Sequence, residues 1–212
     1  MRIRRRTYDR KYYDSPFYRA SSNSQRNRLR LKEILSHKPA GRLLEIGCGR
    51  GEFLALAASR FVVEGIDHSE FAVKDAHPAV RARIRRASVE DGAFANGSYD
   101  VIVALNVLEH LPNPHGVLAG IYQHLAPDGM LFGSVPHNDR WIGRIHTSLT
   151  NYFDKTHCST HAPRQWRRLF EQAGFRAIEF FGEVMIGPGL AIYLRRPYWR
   201  DLSFNLVFEC QR

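Results

Sequence analysis

The stretch that decides the fold is LLEIGCGRG, residues Leu43–Gly51. Its first four residues predict a short buried strand, after which three glycines alternate with Cys48 and Arg50. Glycine accepts a positive φ and lets a ligand lie close against the backbone. A helix is predicted over 51–59, so the free N–H groups of its first turn face the loop. The pattern predicts a strand, a ligand-binding loop and a helix in direct succession.

The glycine spacing narrows the class of ligand. It is G-x-G-x-G over 47–51, whereas a dinucleotide loop needs a glycine where Glu52 stands, and a Walker loop needs G-K-[ST]. Asp67 ends the second predicted strand, 61–66, and lies 20 residues after Gly47. An acid at that place can accept hydrogen bonds from both hydroxyls of a ribose. Loop and acid together predict a nucleoside bound across the ends of the first two strands.

Strands and helices alternate on both sides of the loop. Further strands are predicted at 83–89, 99–105, 130–135, 177–181 and 202–210, and further helices at 24–37, 69–77, 114–125 and 163–173. This alternation implies a mostly parallel α/β sheet with helices on both faces.

The net charge of +10 is concentrated at the N-terminus. Of the 212 residues, 1–42 hold 13 Lys+Arg and three acids, and 43–212 hold 18 of each sign. Residues 1–23 are predicted to be an extended or weakly ordered basic arm that precedes the helix at 24–37. The length fits one domain, and the composition, 44% hydrophobic and 25% charged, is that of a globular protein.

The cellular setting is predicted from what the sequence lacks. No apolar run is as long as a membrane span, and the basic N-terminus has no apolar signal-peptide core. Cys48, Cys158 and Cys210 are an odd number without a CxxC pair, so no disulfide framework is expected. These features predict a reducing, cytoplasmic setting.

A family resemblance rests on several motifs in order. They are LLEIGCGRGEF (43–53), VEGIDHS (63–69), ASVEDGAFANGSYDVIVALNVLEHLPNP (87–114), LAPDGMLFGSVPH (125–137) and the helix ending EQAGF (171–175). Over about residues 40–181 the chain resembles class I S-adenosylmethionine-dependent methyltransferases, especially the small-molecule branch with a single methyltransferase domain.

The resemblance implies an architecture. The family fold is a Rossmann-like seven-stranded sheet of order 3-2-1-4-5-7-6, with strand 7 antiparallel and helices on both faces. Residues 1–38 would be a basic arm and lid helix, and 39–212 the methyltransferase domain. Within that domain, 136–161 and 182–201 would be loops that shape the acceptor pocket.

The resemblance also implies the residues that bind S-adenosylmethionine, which leaves as S-adenosylhomocysteine. Around the methionine part would lie Glu45, Gly47, Cys48, Gly49 and Gly51. Asp67 would hold the ribose with His68 beside the adenine, Ser88, Val89 and Glu90 would edge the adenine, and Leu105 and Asn106 would line the methyl-transfer face. The chain departs from the family at Ser88, where an Asp is common.

Methyl transfer asks the protein mainly to align the reacting groups. A base helps where the acceptor is a hydroxyl, and the candidates are His110, His157, His161 and Asp154. His157 and His110 are the predicted catalytic residues. His157, Cys158, His161 and Asp154 resemble a zinc set, but the stretch has neither helical character nor a CxxC pair, so no metal is predicted.

The basic arm has two interpretations. As a lid, it would cover the cleft with Tyr12, Tyr13, Phe17 and Tyr18, and an arginine from 26, 28 or 30 would meet the cofactor carboxylate. Alternatively, its cations would contact phosphates of a nucleic acid or an anionic membrane surface.

Three functions therefore stay open. The first is transfer of a methyl group to a small molecule, at a hydroxyl or carboxyl oxygen. The second is RNA-directed methylation through the arm, and the third is a non-catalytic cofactor-binding scaffold. LNVLEH follows the fourth strand instead of [DN]-P-P-[YFW] or Pro-Cys, which disfavours methylation of nucleic-acid amino groups and of cytosine C5. The glycine spacing disfavours a nicotinamide oxidoreductase.

Overall fold

The computed structural model describes residues 8–92, 94, 98–137, 157–186, 190–196, 200, 203 and 205–212. Its strands are β1 Gly41–Ile46, β2 Phe61–Asp67, β3 Ile84–Arg86, β4 Tyr99–Leu105, β5 Leu125–Pro136, β6 Arg176–Ile186, β7 Leu190–Leu194 and β8 Asn205–Gln211. The helices are α1 Arg10–Tyr13, α2 Pro16–Ser21, α3 Ser24–His37, α4 Glu52–Ala57, α5 Glu70–Lys74, α6 Pro114–His124 and α7 Pro163–Ala173. Short 3₁₀ turns occupy Arg81–Arg83, Val89–Asp91 and Leu108–His110.

The strands form one sheet of order β3-β2-β1-β4-β5-β8-β6-β7. The first five pair in parallel, and β8 is antiparallel to both β5 and β6. The predicted Rossmann-like arrangement is therefore confirmed, with the chain's last strand inserted between β5 and β6. The strand count differs by one, because β7 is added at the edge of the sheet.

The extra strand lies in a segment predicted to be a loop. Of the stretch 182–201, β6 takes residues through Ile186, which pairs with Leu190 at the start of β7. The sequence has two apolar runs on either side of Gly-Pro-Gly at 187–189, a pattern typical of a hairpin that the loop prediction overlooked. The third strand is shorter than predicted, at three residues.

The N-terminal arm is more regular than predicted. Residues 10–21 form two short helices rather than a weakly ordered segment. Side chains of Asp9, Ser15 and Asn23 cap α1, α2 and α3 by accepting N–H groups of the first turns. The caps start each helix, and α3 has the predicted bounds, 24–37.

The core lies on both faces of the sheet. Leu44 and Ile102 pack on the side of α6 and α7, while Leu43 and Val103 pack on the side of α3 and α4. Neighbouring residues of one strand are thus buried on opposite faces, as expected of a parallel sheet covered by two helical layers. The covering helices leave the carboxyl ends of β1, β2 and β4 as the edge where such sheets bind ligands.

Candidate functional site

The glycine loop after β1 adopts a conformation that requires glycine. Gly47, Gly49 and Gly51 have φ of +66°, +55° and +78°. The amides of Gly47 and Cys48 donate to the Ile66 carbonyl at 2.8 and 3.1 Å, which fixes the loop against β2. A Cβ at Gly49 would lie 2.5 Å from the Tyr18 hydroxyl oxygen. The loop is therefore built for close approach of other groups to its backbone.

Asp67 lies buried at the end of β2 and faces this loop. Its Oδ2 accepts the Gly49 amide and its Oδ1 the Ser69 amide, both at 2.8 Å. Burial raises the pKa of Asp67, and the two amides act in the opposite direction. Each oxygen keeps a second lone pair after these bonds, which suits the paired hydroxyls of a ribose.

Glu45 supplies a second buried carboxylate, on β1. It lines a cavity with Arg30, Gly47, Glu52, Leu105 and Asn106. Among the described residues its Oε2 has no hydrogen-bond partner. Burial raises its pKa well above the usual value, with Glu52 adding to the shift and Arg30 opposing it. A buried carboxylate oxygen that lacks a hydrogen-bond partner among the described residues is suited to a cationic ligand group, such as the ammonium of a methionine moiety.

Leu105 and Asn106, at the end of β4, border the same cavity. Asn106 has φ +53°, and its amide donates to the Ser134 carbonyl at 2.8 Å. Strained residues of this kind concentrate at functional sites. The structure thus brings Glu45, the glycine loop and Asn106 to one cavity.

The predicted adenine edge lies past β3. The Ser88 hydroxyl accepts the Glu90 amide at 3.2 Å and so caps the 3₁₀ turn that follows it. Val89 is buried, and Glu90 is exposed. His68 is largely exposed beside Asp67, with Nδ1 4.0 Å from Oδ1. Ser88 therefore fills the capping role that an Asp also performs, and contact of these residues with adenine stays a prediction.

The arm lies across the loop. Tyr13 is buried, and its ring lies 4.7 Å from that of Tyr18. The Tyr18 hydroxyl donates to Glu52 at 2.9 Å. The arm thus contacts Glu52, the first residue of α4, and its role as a lid stays a prediction. Of the four predicted cover residues, the side chain of Phe17 lies outside the described part of the chain.

Two polar side chains of the domain hold the arm by its backbone. Arg50 donates to the Tyr13 carbonyl at 3.2 Å and pairs with Asp14 at 2.9 Å. The Ser69 hydroxyl donates to the Tyr8 carbonyl at 2.6 Å. Arg50 lies in the glycine loop and Ser69 directly follows His68, so the arm is held by sequence neighbours of the predicted cofactor-binding residues.

The arginine predicted for the cofactor carboxylate has a protein partner. Arg30 and Glu183 are almost fully buried, at 1% and 0% side-chain exposure, and form two bonds of 2.9 Å. Arg26 adds a contact of 3.4 Å to the same carboxylate, and Arg28 is exposed. Arg30 lines the cavity while it is held by Glu183. Glu183 was not among the predicted site residues, and its signal in the sequence is an acid inside the apolar run FFGEVMI (180–186) of β6.

The two predicted catalytic histidines lie together. Rings of His110 and His157 are 4.7 Å apart, and the Tyr8 ring lies 6.4 Å from that of His110. His161 instead contacts Trp166 at 5.0 Å, and burial lowers its pKa. Asp154 lies outside the described residues. Of the four candidate bases, His110 and His157 lie next to each other, whereas His161 packs against Trp166.

Glu109, beside these histidines, was missed by the sequence analysis. It is buried, and its carbonyl accepts the amides of Cys158 and Ser159 at 2.9 Å each. These bonds hold the segment before α7 against the turn after β4. The signal in the sequence was an acid directly before His110 in an otherwise apolar LEHL run.

The known proteins that resemble this chain are all described as methyltransferases. A family model described as a methyltransferase domain matches residues 17–179. A protein of Mycolicibacterium smegmatis named a probable S-adenosylmethionine-dependent methyltransferase is 32% identical over 166 residues, which are 74% of this chain and 60% of that protein. The ubiquinone biosynthesis O-methyltransferase of Thiobacillus denitrificans is 36% identical over 117 residues, 51% of this chain and 50% of that enzyme. This chain spans about half to three fifths of the length of these relatives.

The fold comparison covers more of the chain. A crystal structure of an S-adenosylmethionine-dependent methyltransferase from Thermotoga maritima aligns with a TM-score of 0.74 over 95% of this chain and 96% of that one. The identity is 17%, so this likeness concerns the fold alone.

Proposed function

Because this chain belongs to the methyltransferase-domain family, within the class I S-adenosylmethionine-dependent methyltransferases, we propose that it transfers a methyl group to an oxygen of a small-molecule acceptor. One observation carries the proposal. Two buried carboxylates, Glu45 and Asp67, end adjacent parallel strands on either side of the glycine loop. They suit the ammonium group and the ribose of one ligand molecule.

The proposed cofactor site uses the chain's own groups in defined roles. Glu45 accepts hydrogen bonds from the ammonium group, and Asp67 accepts them from the ribose hydroxyls. Gly47 and Gly49 have no side chain, so other groups can approach their backbone closely, as Val107 does at Gly47 and Tyr18 at Gly49. When bound, S-adenosylmethionine supplies a methyl group on a positively charged sulfur, which is already activated for transfer.

At the methyl-transfer face the protein has to position the acceptor and remove its proton. Leu105 and Asn106 form the wall at the end of β4. His110 and His157 carry imidazole rings, and a neutral imidazole can accept a proton from a hydroxyl. Exclusion of water by the arm favours transfer to the acceptor over hydrolysis.

Oxygen as the methylated atom is supported by one relative: a protein named an O-methyltransferase shares 36% identity over half of this chain. The sequence after β4 lacks the motif of enzymes that methylate amino groups of nucleic acids, which disfavours those acceptors alone.

A small acceptor is favoured over RNA by contacts of the basic helix α3, which follows the arm. Arg26 and Arg30, two cations of this helix, are turned inward onto Glu183. In the described part of the chain, no helix is long and apolar enough to cross a membrane.

The test is product formation. The purified chain is incubated with S-adenosylmethionine and panels of phenols, hydroxy acids and dicarboxylates, and S-adenosylhomocysteine and methylated product are measured by mass spectrometry. We expect stoichiometric formation of both with at least one oxygen acceptor. Cofactor binding without product for any acceptor would favour the scaffold function, and methylation of RNA alone would favour the second alternative.

A further inference from the structure

Three tyrosines of the arm lie against three parts of the predicted cofactor site, and Tyr18 is at the methionine end. It lines the cavity that contains Glu45, and its hydroxyl oxygen accepts the Arg50 amide at 3.3 Å. A Cβ at Gly49 would lie 2.5 Å from the same oxygen. Tyr18 therefore fills the space that the glycine leaves beside the loop.

Tyr13 lies at the predicted ribose end. Its side chain is buried, and burial raises its pKa, to which the negative charge of Asp67 adds. Its Cε1 atom lies 3.4 Å from the place that a Cβ at Gly49 would take, and its ring stacks on that of Phe71 at 5.8 Å. Tyr13 is thus close both to the glycine loop and to the acid that would hold the ribose.

Tyr8 completes the series at the predicted adenine end. Its ring stands edge-on to that of His68, with 4.8 Å between the ring centres. Its carbonyl accepts the Ser69 hydroxyl at 2.6 Å, which fixes the chain there. The three tyrosines therefore follow the order methionine, ribose and adenine in which the cofactor site is predicted.

The cavity that remains beside the arm is small. It measures about 50 Å³ and is lined by Tyr18, Glu45 and Asn106, among others. A cavity of this size holds a few water molecules. Pockets that bind small molecules and cofactors measure roughly 300–1,000 Å³. The cofactor and the arm in this position therefore cannot occupy the cleft together.

We propose that the arm is an autoinhibitory gate: residues 8–22 occupy the cofactor cleft and have to withdraw before S-adenosylmethionine enters. The inference deepens the proposed function and rests on its cofactor site. Since arm and cofactor exclude each other, the cofactor binds only to molecules whose arm is open. The observed association rate is then the intrinsic rate multiplied by the open fraction. Once the cofactor is bound, the arm can cover it from further out, so the gate is compatible with a lid.

The arm is built in a way that allows it to open. Its helices α1 and α2 are only four and six residues long, and helices shorter than about 12 residues are marginal in isolation. Each depends on its side-chain cap, Asp9 or Ser15, and on contacts with the cleft. Removing a cap therefore favours the open arm and leaves the side chains of the cleft unchanged.

The test measures how fast S-adenosylhomocysteine binds to the full chain, immobilised for surface plasmon resonance. Ser15→Ala removes the cap that accepts the Tyr18 amide at 3.2 Å. It should speed association about fivefold, the factor by which loss of a typical cap shifts a helix equilibrium. Tyr18→Phe, which removes the hydroxyl bonded to Glu52, should speed association as well.

A cap elsewhere in the chain provides the matched control. Asn113→Ala removes the side chain that accepts the Gly116 amide at the start of α6, and it should leave the association rate unchanged. Amide hydrogen exchange over residues 10–21 checks that Ser15→Ala loosens the arm, and Asp9→Ala replaces it if it does not. Association no faster than in the parent, in Tyr18→Phe or in the loosened cap variant, would overturn the gate.

The two proposals fail separately. If the variants bind S-adenosylhomocysteine no faster than the parent, and the parent forms methylated product, the gate is wrong and the methyltransferase proposal stands. If the variants bind faster but no acceptor is methylated by any of these proteins, the proposed function is wrong and the gate stands.

Discussion

The amide of Gly49 donates to Oδ2 of Asp67 at 2.8 Å, which joins the glycine loop after β1 to the acid that ends β2. The bond positions the carboxylate before any ligand arrives. Since the other oxygen is held by Ser69, the acid has a fixed orientation as well as a fixed place. Loop and acid thus act as one preformed unit.

The first prediction concerns this acid. Asp67→Ala should weaken S-adenosylmethionine binding by about 1–3 kcal/mol, because charged hydrogen bonds to the ribose are lost. Isothermal titration calorimetry measures the change, with Asp67→Asn as a second variant of nearly the same shape. Asp128→Ala, which removes an exposed acid in the β5 segment, should bind normally. Unchanged affinity in both Asp67 variants would remove the residue from the ribose site.

The second prediction concerns the pH dependence of stability. Burial raises the pKa of Glu45 in the folded protein, so between the unfolded and folded pKa values the folded chain binds the extra proton. The contribution of Glu45 to the free energy of unfolding is therefore greatest below the unfolded pKa and is lost as the pH rises through the folded pKa. Glu45→Gln should therefore reduce the change of the free energy of unfolding with pH.

Urea unfolding at a series of pH values from about 4 to 8 measures the slope, since an unperturbed glutamate titrates near the lower limit. Glu171→Gln, an exposed substitution on α7, is the matched control and should leave the slope as it is. An identical pH profile in Glu45→Gln and the parent protein would contradict the prediction.

The third prediction concerns the buried ion pair that links α3 to β6. Arg30→Met leaves the Glu183 carboxylate without its bidentate partner and should cost about 3–5 kcal/mol of unfolding free energy. When Arg30→Met is combined with Glu183→Leu, most of the loss should disappear, because the buried carboxylate that Arg30 neutralised is gone and only Arg26, at 14% side-chain exposure, loses a contact. Denaturant unfolding of the two singles and the double measures the coupling, and Arg28→Met is the exposed control on the same helix. Additive effects of the two substitutions would argue against a direct interaction.

The fourth prediction concerns the arm. Arg50→Ala removes the bond to the Tyr13 carbonyl, the pair with Asp14 and the contact of the guanidinium with the Phe71 ring at 5.4 Å. Residues 10–21 should then open more often, with faster amide hydrogen exchange than in the parent. Arg60→Ala, at an exposed position, serves as the reference. Equal exchange in the two variants would show that the arm is held by other contacts.

The central fold could be predicted because local signals and packing agree there. LLEIGCGRG combines a buried strand, a loop that needs positive φ and a helix start, and each of these features is present in the structure. The alternation of apolar strands and capped helices then predicts a mostly parallel sheet with helices on both faces.

The buried ion pair, the grouping of Glu109 with His157 and the helices of the arm could not be predicted from the sequence, each for a physical reason. Arg30 and Glu183 are 153 positions apart, and no local pattern links an arginine of a basic helix to an acid in an apolar strand. The grouping of Glu109 with His157 likewise depends on backbone bonds between two distant segments. The two helices of the arm were not predicted because they are only four and six residues long, and their caps at Asp9 and Ser15 lie among basic and aromatic residues.

Two of the bonds that hold the arm end on main-chain oxygens, those of Tyr8 and Tyr13, and not on side chains. A carbonyl oxygen is present whatever residue occupies the position. Substitutions in the arm can therefore accumulate over evolution while its path across the loop is kept, provided that Ser69 and Arg50 remain. Among related chains, the identity of these two residues should predict the course of the arm better than the arm's own sequence does.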